Sequence, residues 1–280
     1  MICIHHNDLD GRCSAAIVKK WFDGLLNNTR RLEFIEMDYK DSVDYSHWNS
    51  KFEDVIIVDF SLKPDEMQAL RSRSGDVVWI DHHATARDYP YQELQGLRDF
   101  ADKSKAGCEL TWLHFFPTVQ MPMAVQLIGD YDKWALLLED SKVFYEGMKL
   151  ENNGPEEYLW WELLDSGYWK KVKEIINVGL IATKYRDNYC DELCKSFGYE
   201  TEIDGVKAYA CNQYMFGSGG FGERFKNYPL CLAYIHDGKQ FTVSLYSTTV
   251  DVGQIAKRHG GGGHKGAAGF VCDKLPFDRI

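Results

Sequence analysis

No stretch of this chain strings together the roughly 20 apolar residues that a bilayer-spanning helix needs, and no basic region followed by a long apolar segment stands at the N-terminus. A membrane partner is therefore not expected, and a cytoplasmic location is. CxxC pairs are absent too: the eight cysteines, at 3, 13, 108, 190, 194, 211, 231 and 272, are scattered through 280 residues, enough for a core of ordinary size without covalent staples. Reduced thiols are expected. Cys190 and Cys194, four apart on a predicted helix, offer half of a zinc site, but no second Cys/His pair at finger spacing accompanies them, so helix packing is their reading. Basic charge is in deficit, 32 Lys and Arg against 42 Asp and Glu, for a formal net charge of −10. That balance excludes a sequence-independent grip on a long duplex by phosphate neutralisation. It leaves a short phosphate substrate open, because divalent cations held by carboxylates reverse the local field. Internal repeats are missing, and the only low-complexity piece is GGGG at 260–263.

What is present alternates strand and helix. MICIH reads as a short buried strand, HNDLDG as a polar turn, and residues 12–26 as a helix with Ala15, Ala16, Ile17, Trp21 and Leu25 at helical spacing. RLEFIEMDY (31–39) alternates weakly. EDVIIVDFS (53–61) and DVVWIDHH (76–83) are continuous runs of the kind buried on both faces, separated by a helical pattern over 63–73. This rhythm predicts an α/β fold: a parallel-sheet domain over 1–150 with helices on both faces. Helical patterns follow at 108–116 and at 123–134, the latter expected to end at Gly129, and a long helix at about 166–196. Residues 151–196 are thus a helical connection. The short alternating runs over 197–280 predict a smaller α+β domain.

The chemistry concentrates at strand ends. His6, Asp8 and Asp10 alternate and are followed by Gly11, so in an extended segment their side chains converge on one point. Taken alone this is equally an Asx-rich turn in which Asp10 caps the next helix. VIIVD, however, ends in Asp59, and VVWIDHH ends in Asp81, His82 and His83. In an open parallel sheet the carboxyl ends of neighbouring strands face one crevice. Three strands thus deliver His6, Asp8, Asp10, Asp59, His82 and His83 to one edge, where they repel or desolvate one another unless a cation joins them. Carboxylate and imidazole without cysteine favour Mn²⁺, with Mg²⁺, Co²⁺ or Fe²⁺ as alternatives, over a structural zinc. Two such ions about 3.5–4 Å apart are the usual device for in-line attack on phosphorus, and Asp59, alone on the middle strand, is the natural bridge.

These residues resemble motifs one to three of the DHH phosphoesterases, which include RecJ-type exonucleases, nanoRNA and pAp phosphatases, cyclic-dinucleotide phosphodiesterases and family II pyrophosphatases. The fourth motif resembles IGDYDKW, where Asp130 after Gly129 takes the ligand position and Asp132 is its competitor. DVGQIAKRHGGGGHKGAAGF (251–270) is similar to the DHH-associated C-terminal domain. The resemblance implies that His6, Asp8 and Asp59 hold one metal, and Asp10, Asp59, His82 and Asp130 the other. It further implies that His83 faces the phosphate and that Asp81 orients its neighbours. A strand that points His82 toward the metals turns Asp81 away, which fits that division.

The glycine run has a reading of its own. One glycine suffices to end a helix, so four favour a phosphate cradle in which Gly261, Gly262 and Gly263 offer backbone N–H groups and His264 and Lys265 add a donor and a charge. The resemblance places substrate there. Many relatives carry an arginine in the preceding strand where this chain reads SLYSTTV; Tyr246 in its place is either a stacking surface or a core residue. MFGSGGFGER (215–224) is a second glycine-rich loop, read as surface, and Trp134, Trp160 and Trp161 are read as interdomain core. The expected activity is metal-dependent hydrolysis of short oligonucleotides or nucleotides such as nanoRNA, pAp or linear dinucleotides. Cleavage of pyrophosphate or polyphosphate is the alternative, and a non-catalytic nucleotide-binding module the second. A homodimer is compatible with the sequence.

Overall fold

In the computed structural model, residues 1–279 are described except 27–28, 45–52, 102–104, 166 and 168. Two compact units, Met1–Leu180 and Ile181–Ile280, divide inside one long helix. No helix among the described residues is long and apolar enough to cross a membrane.

The first unit is built on strands β1 (Ile2–His6), β2 (Glu33–Met37), β3 (Val55–Val58) and β4 (Val77–Ile80), all parallel, in the order β2-β1-β3-β4. Alternation along the strands sorts the sheet's residues onto two buried faces. Ile2, Ile4, Val55, Ile57, Val77 and Trp79 pack with Met67 and Leu70 of helix α2 (Pro64–Arg71). Cys3, Ile56, Val58 and Ile80 pack with Ala15 and Val18 of α1 (Leu9–Asp23) and Leu110 of α3 (Gly107–Phe115). Helices therefore cover both faces, and only the strand ends are left for polar work. The uninterrupted VIIV run, buried at every position, is the sequence signature of that central strand.

A second apolar layer joins α1 and α3 to α4 (Met123–Asp132), α5 (Ser141–Met148), α6 (Leu159–Leu163) and the start of α7 (Trp169–Phe197). Helix α4 does not end at Gly129. A Cβ there would stand 2.8 Å from Cδ of Glu109, so the glycine marks close approach of α3 inside a helix that runs on to Asp132. Of the three tryptophans expected in a core, only Trp160 is buried, at 3% exposure. Trp134 and Trp161 are 50% and 66% exposed, under Lys142 and Lys20 respectively.

In the second unit, β5 (Tyr199–Ile203), β6 (Val206–Asn212), β7 (Cys231–His236), β8 (Phe241–Tyr246), β9 (Gly262–Gly263) and β10 (Ala267–Cys272) form one sheet in the order β5-β6-β7-β8-β10-β9. Every pairing is antiparallel except β6 with β7, whose crossover carries the short helix α8 (Arg224–Asn227). Helix α9 (Val252–Arg258) closes the core with Val252, Ile255 and Ala256 against Val243, Leu245 and Phe270.

Candidate metal centre

The polar ends of β1, β3 and β4 meet as expected. Asp8 caps α1, its Oδ1 accepting from Gly11 N–H at 2.8 Å and its Oδ2 meeting His6 Nδ1 at 2.8 Å. Burial pushes its carboxyl up, but the His6 hydrogen bond and charge and the Gly11 N–H outweigh that and hold it below the ordinary range. Asp10 sits one turn into α1 and accepts from the backbone N–H groups of Gly107 and Cys108, each at 2.8 Å. It thus caps α3 rather than the helix it belongs to. His5, pointing the other way, is buried and bonds through Nδ1 to the His6 carbonyl at 2.8 Å.

Asp59 is the singular group. It follows β3 with φ +52°, a left-handed conformation that Asp tolerates better than most residues. Its N–H still extends the ladder to Ile80 O at 2.9 Å, so the twist falls on the side chain's direction rather than on the strand. It is fully buried, and neither carboxylate oxygen has a hydrogen-bond partner. His82 Nε2 lies 3.2 Å from Oδ1 without forming a hydrogen bond. Burial, then the charges of Asp10, Asp8, Asp132 and Asp81, push this carboxyl well above its usual range. Two dry, unpartnered oxygens on one buried carboxylate are what a site for a cation looks like.

Asp81 behaves oppositely. Ser61 Oγ donates to its Oδ2, while its Oδ1 takes His82 N–H at 2.8 Å and meets His83 Nδ1 at 2.7 Å. Burial raises its carboxyl, and the bonded His83 ring and Ser61 hydroxyl more than reverse this. His83 is raised in turn: burial opposes its charge, and Asp81 overrides that. With Nδ1 engaged, Nε2 of His83 is the nitrogen left to face a ligand.

The fourth motif lands differently from expectation. Asp130 is buried away from the cluster, accepting from Leu137 N–H at 2.9 Å, Leu138 N–H at 3.0 Å and the Ser141 hydroxyl. It closes the turn between α4 and α5. Asp132 is the residue brought to the site: its Oδ2 is 3.4 Å from His82 Nε2, which is also 3.7 Å from Asp10 Oδ2. Burial and the neighbouring Asp10 and Asp8 push Asp132 up to about 8. Among the described residues, three groups bring ligand atoms within 4.8 Å of one another: His6, Asp8 and Asp59; Asp10, His82 and Asp132; and Asp59, His82 and His83. Asp59 and His82 are each shared by two of them.

The glycine run is accounted for largely by packing. Gly260, with φ +80°, ends α9 in a Schellman motif: its N–H reaches Lys257 O and the Gly261 N–H reaches Ala256 O. A Cβ on Gly261 would stand 2.0 Å from Gly269 O, and one on Gly263 2.5 Å from Ala268 Cα. Gly262 alone is open, and the His264 N–H is already given to Ala267 O. Counting glycines therefore overstated the case for a cradle. The 215–224 loop is pinned rather than loose, by fully buried Phe221 and by Arg224 on Asp191 at 2.9 Å, and Tyr246 packs 6.3 Å from Phe221. Cys190 and Cys194 are buried and join none of the ligand groups found among the described residues.

Tyr39 is a site neighbour that sequence reading missed. Its ring lies 5.4 Å from that of His6 and 5.6 Å from that of His83. A lone aromatic after a weak strand carries no periodic signal.

Residues 1–127 match the family model described as DHH family, N-terminal domain. The chain carries a DHH-family domain. Motifs one to three and Gly107 and Cys108 at the start of α3 fall within the matched residues, and Asp132 lies just beyond them. Protein R106 of Acanthamoeba polyphaga mimivirus, which is uncharacterized, is 24% identical over 246 residues, 81% of this chain and 56% of that protein. The match thus spans little more than half of that relative. Among solved structures, the DHH domain of PF0399, a member of the s1p family of ribosomal proteins, aligns with TM-score 0.60 and 14% identity over 96% of this chain and 82% of that one. The pGpG-specific phosphodiesterase PggH from Vibrio cholerae aligns with TM-score 0.57 and 13% identity over 97% and 93%. The exonuclease RecJ bound to manganese gives 0.52 and 14% over 97% and 85%. At such identities the likeness is one of fold.

Proposed function

We propose that this DHH-domain chain is a divalent-metal-dependent phosphohydrolase acting on short nucleotide phosphoesters. The observation that carries the reading is Asp59, a buried carboxylate with two unpartnered oxygens amid four further aspartates. Such a cluster is costly unless cations join it. In this reading His6, Asp8 and Asp59 hold one ion and Asp10, Asp59, His82 and Asp132 hold a second, with Mn²⁺ expected and Mg²⁺ or Co²⁺ as substitutes. Bound there, the ions would supply Lewis-acid activation of water and neutralise charge on the phosphoryl oxygens.

The chain's own residues would do the rest. Asp8 and Asp10 are held by backbone N–H groups, so their outward lone pairs are fixed in direction before any ligand arrives. Asp81 holds the His83 ring by Nδ1 and favours its charged form, which turns Nε2 into a donor for a phosphoryl oxygen. Of the expected contacts Gly261, Gly262, Gly263, His264 and Lys265, the side chains of His264 and Lys265 are the proposed substrate-phosphate contacts of the second unit, and the glycines let the loop that carries them pack.

The nucleotide class is favoured by the fold shared with PggH, whose substrate pGpG is a linear dinucleotide. A panel of pAp, linear and cyclic dinucleotides, short RNA, pyrophosphate and polyphosphate, each with Mn²⁺, tests it. Turnover of a nucleotide ester that disappears in Asp59→Asn is the expected result. No turnover of any compound with Mn²⁺, Mg²⁺ or Co²⁺, or turnover indifferent to Asp59→Asn, would overturn the proposal.

A further inference from the structure

Tyr39 stands just after β2, and its ring is stacked on Phe60 at 4.9 Å and 27°. His6, parallel to Phe60 at 6.1 Å and 19°, flanks the same layer, and His83 meets Tyr39 edge-on at 5.6 Å and 75°. Phe60 is 2% exposed, whereas Tyr39 is 42% exposed. Phe60 thus stacks on the Tyr39 ring and two imidazoles lie within 5.6 Å of its centre, while two-fifths of the residue faces solvent beside the carboxylate cluster. An aromatic layer with an open side next to a phosphate site suits a planar ring, since base–aromatic stacking is sequence-tolerant and needs only a π-face. An inorganic phosphoanhydride has no ring to stack there.

We infer that Tyr39 is a positioning residue on which a nucleobase stacks, one ribose away from the phosphate held at His83 and the metal ligands. The inference rests on the phosphohydrolase reading for the place of the phosphate and deepens it by selecting base-bearing substrates over pyrophosphate and polyphosphate. Stacking of this kind changes affinity for the base-bearing ligand and leaves the phosphate contacts alone.

The test is equilibrium binding, by calorimetry on the full chain loaded with Mn²⁺, of guanosine 5′-monophosphate and of ribose 5-phosphate, which differ only in the base. In the wild type the nucleotide should bind about tenfold or more tightly than the sugar phosphate. Tyr39→Ala should bring the nucleotide down to the sugar phosphate's affinity without changing the latter, and Tyr39→Phe, which keeps the ring, should stay within about twofold of wild type. Equal wild-type affinities, no nucleotide binding, a Tyr39→Ala loss shared by both ligands, or a Tyr39→Phe loss as large as that of alanine would each overturn the inference. Turnover is scored separately: a wild type that hydrolyses no phosphoester removes the phosphohydrolase reading, while the two affinities still decide the role of Tyr39.

Discussion

A Cβ placed on Gly107 would stand 2.5 Å from Oδ1 of Asp59. The first residue of α3 is packed against Asp59, whose buried carboxylate oxygens have no hydrogen-bond partner, and its N–H holds Asp10 at the same time. Gly107→Ala should therefore displace two carboxylates at once. Overpacking of this kind costs about 1–3 kcal/mol, and the proposed Mn²⁺ site should weaken by about tenfold or more, as when ligand-orienting contacts are lost elsewhere. Thermal unfolding and a Mn²⁺ titration check both. An alanine variant with wild-type melting temperature and affinity would show that the backbone yields there.

Asp59→Asn separates the site from the fold. Asparagine tolerates the left-handed backbone at least as well as aspartate and removes a buried charge from among like charges. Without metal, the melting temperature should be unchanged or higher. With metal, hydrolysis should be lost and the wild type alone should gain stability from Mn²⁺, a gain that a chelator reverses. A large loss of metal-free stability in Asp59→Asn is the contrary outcome.

Asp130 and Asp132 should part company. In Asp130→Ala the Leu137 and Leu138 N–H groups and the Ser141 hydroxyl lose their acceptor, at about 1–3 kcal/mol for each donor left dry. Asp132→Asn removes a carboxyl already pushed up to about 8 by burial and by Asp10 and Asp8, and should leave stability near wild type while metal affinity falls. Denaturant unfolding and metal titration of the pair decide the matter. The reverse pattern would return the ligand role to Asp130.

Asp204 offers a pH-dependent test in the second unit. It bonds Arg258 Nε at 2.8 Å and His259 Nε2 at 3.1 Å. Burial pushes its carboxyl up, and these hydrogen bonds and charges bring it below the ordinary range. A depressed folded-state pKa contributes stability that is present above the unfolded value of about 3.9. That contribution is lost as pH falls through the lower folded value. The wild type should exceed Asp204→Asn by about 1 kcal/mol or less at pH 7, as for other partly exposed pairs. The gap should close at acid pH and shrink in high salt. A gap independent of pH would mean that the interaction is not ionic.

How much of this was legible follows the length of each signal. The runs VIIV and VVWI fixed two adjacent strands, and residues appended to strand ends had to meet at one edge whatever the details of packing. Six of the expected site residues, His6, Asp8, Asp10, Asp59, His82 and His83, are there for that reason. Asp130 was preferred to Asp132 on the resemblance alone, and only the turn after α4, whose N–H groups take up the Asp130 carboxylate, tells the two apart. Gly129 was likewise taken as a helix end, when only the approach of Glu109 from another helix explains a glycine there. The 260–263 run was misread the same way, through contacts with Gly269 and Ala268 that no local pattern announces. Tyr39 needed Phe60, His6 and His83 to be placed before it meant anything.

The contrast between Asp10 and Asp59 sets how this protein can change. Asp10 serves the architecture and the proposed chemistry through one carboxylate, tying α1 to the start of α3, so that replacing it harms both together. On the proposed reading Asp59 serves only the chemistry, since its buried carboxylate oxygens hold no other residue in place. A lineage that stopped needing hydrolysis would be free to shed Asp59 first and keep Asp10, ending as an inert domain of the same shape.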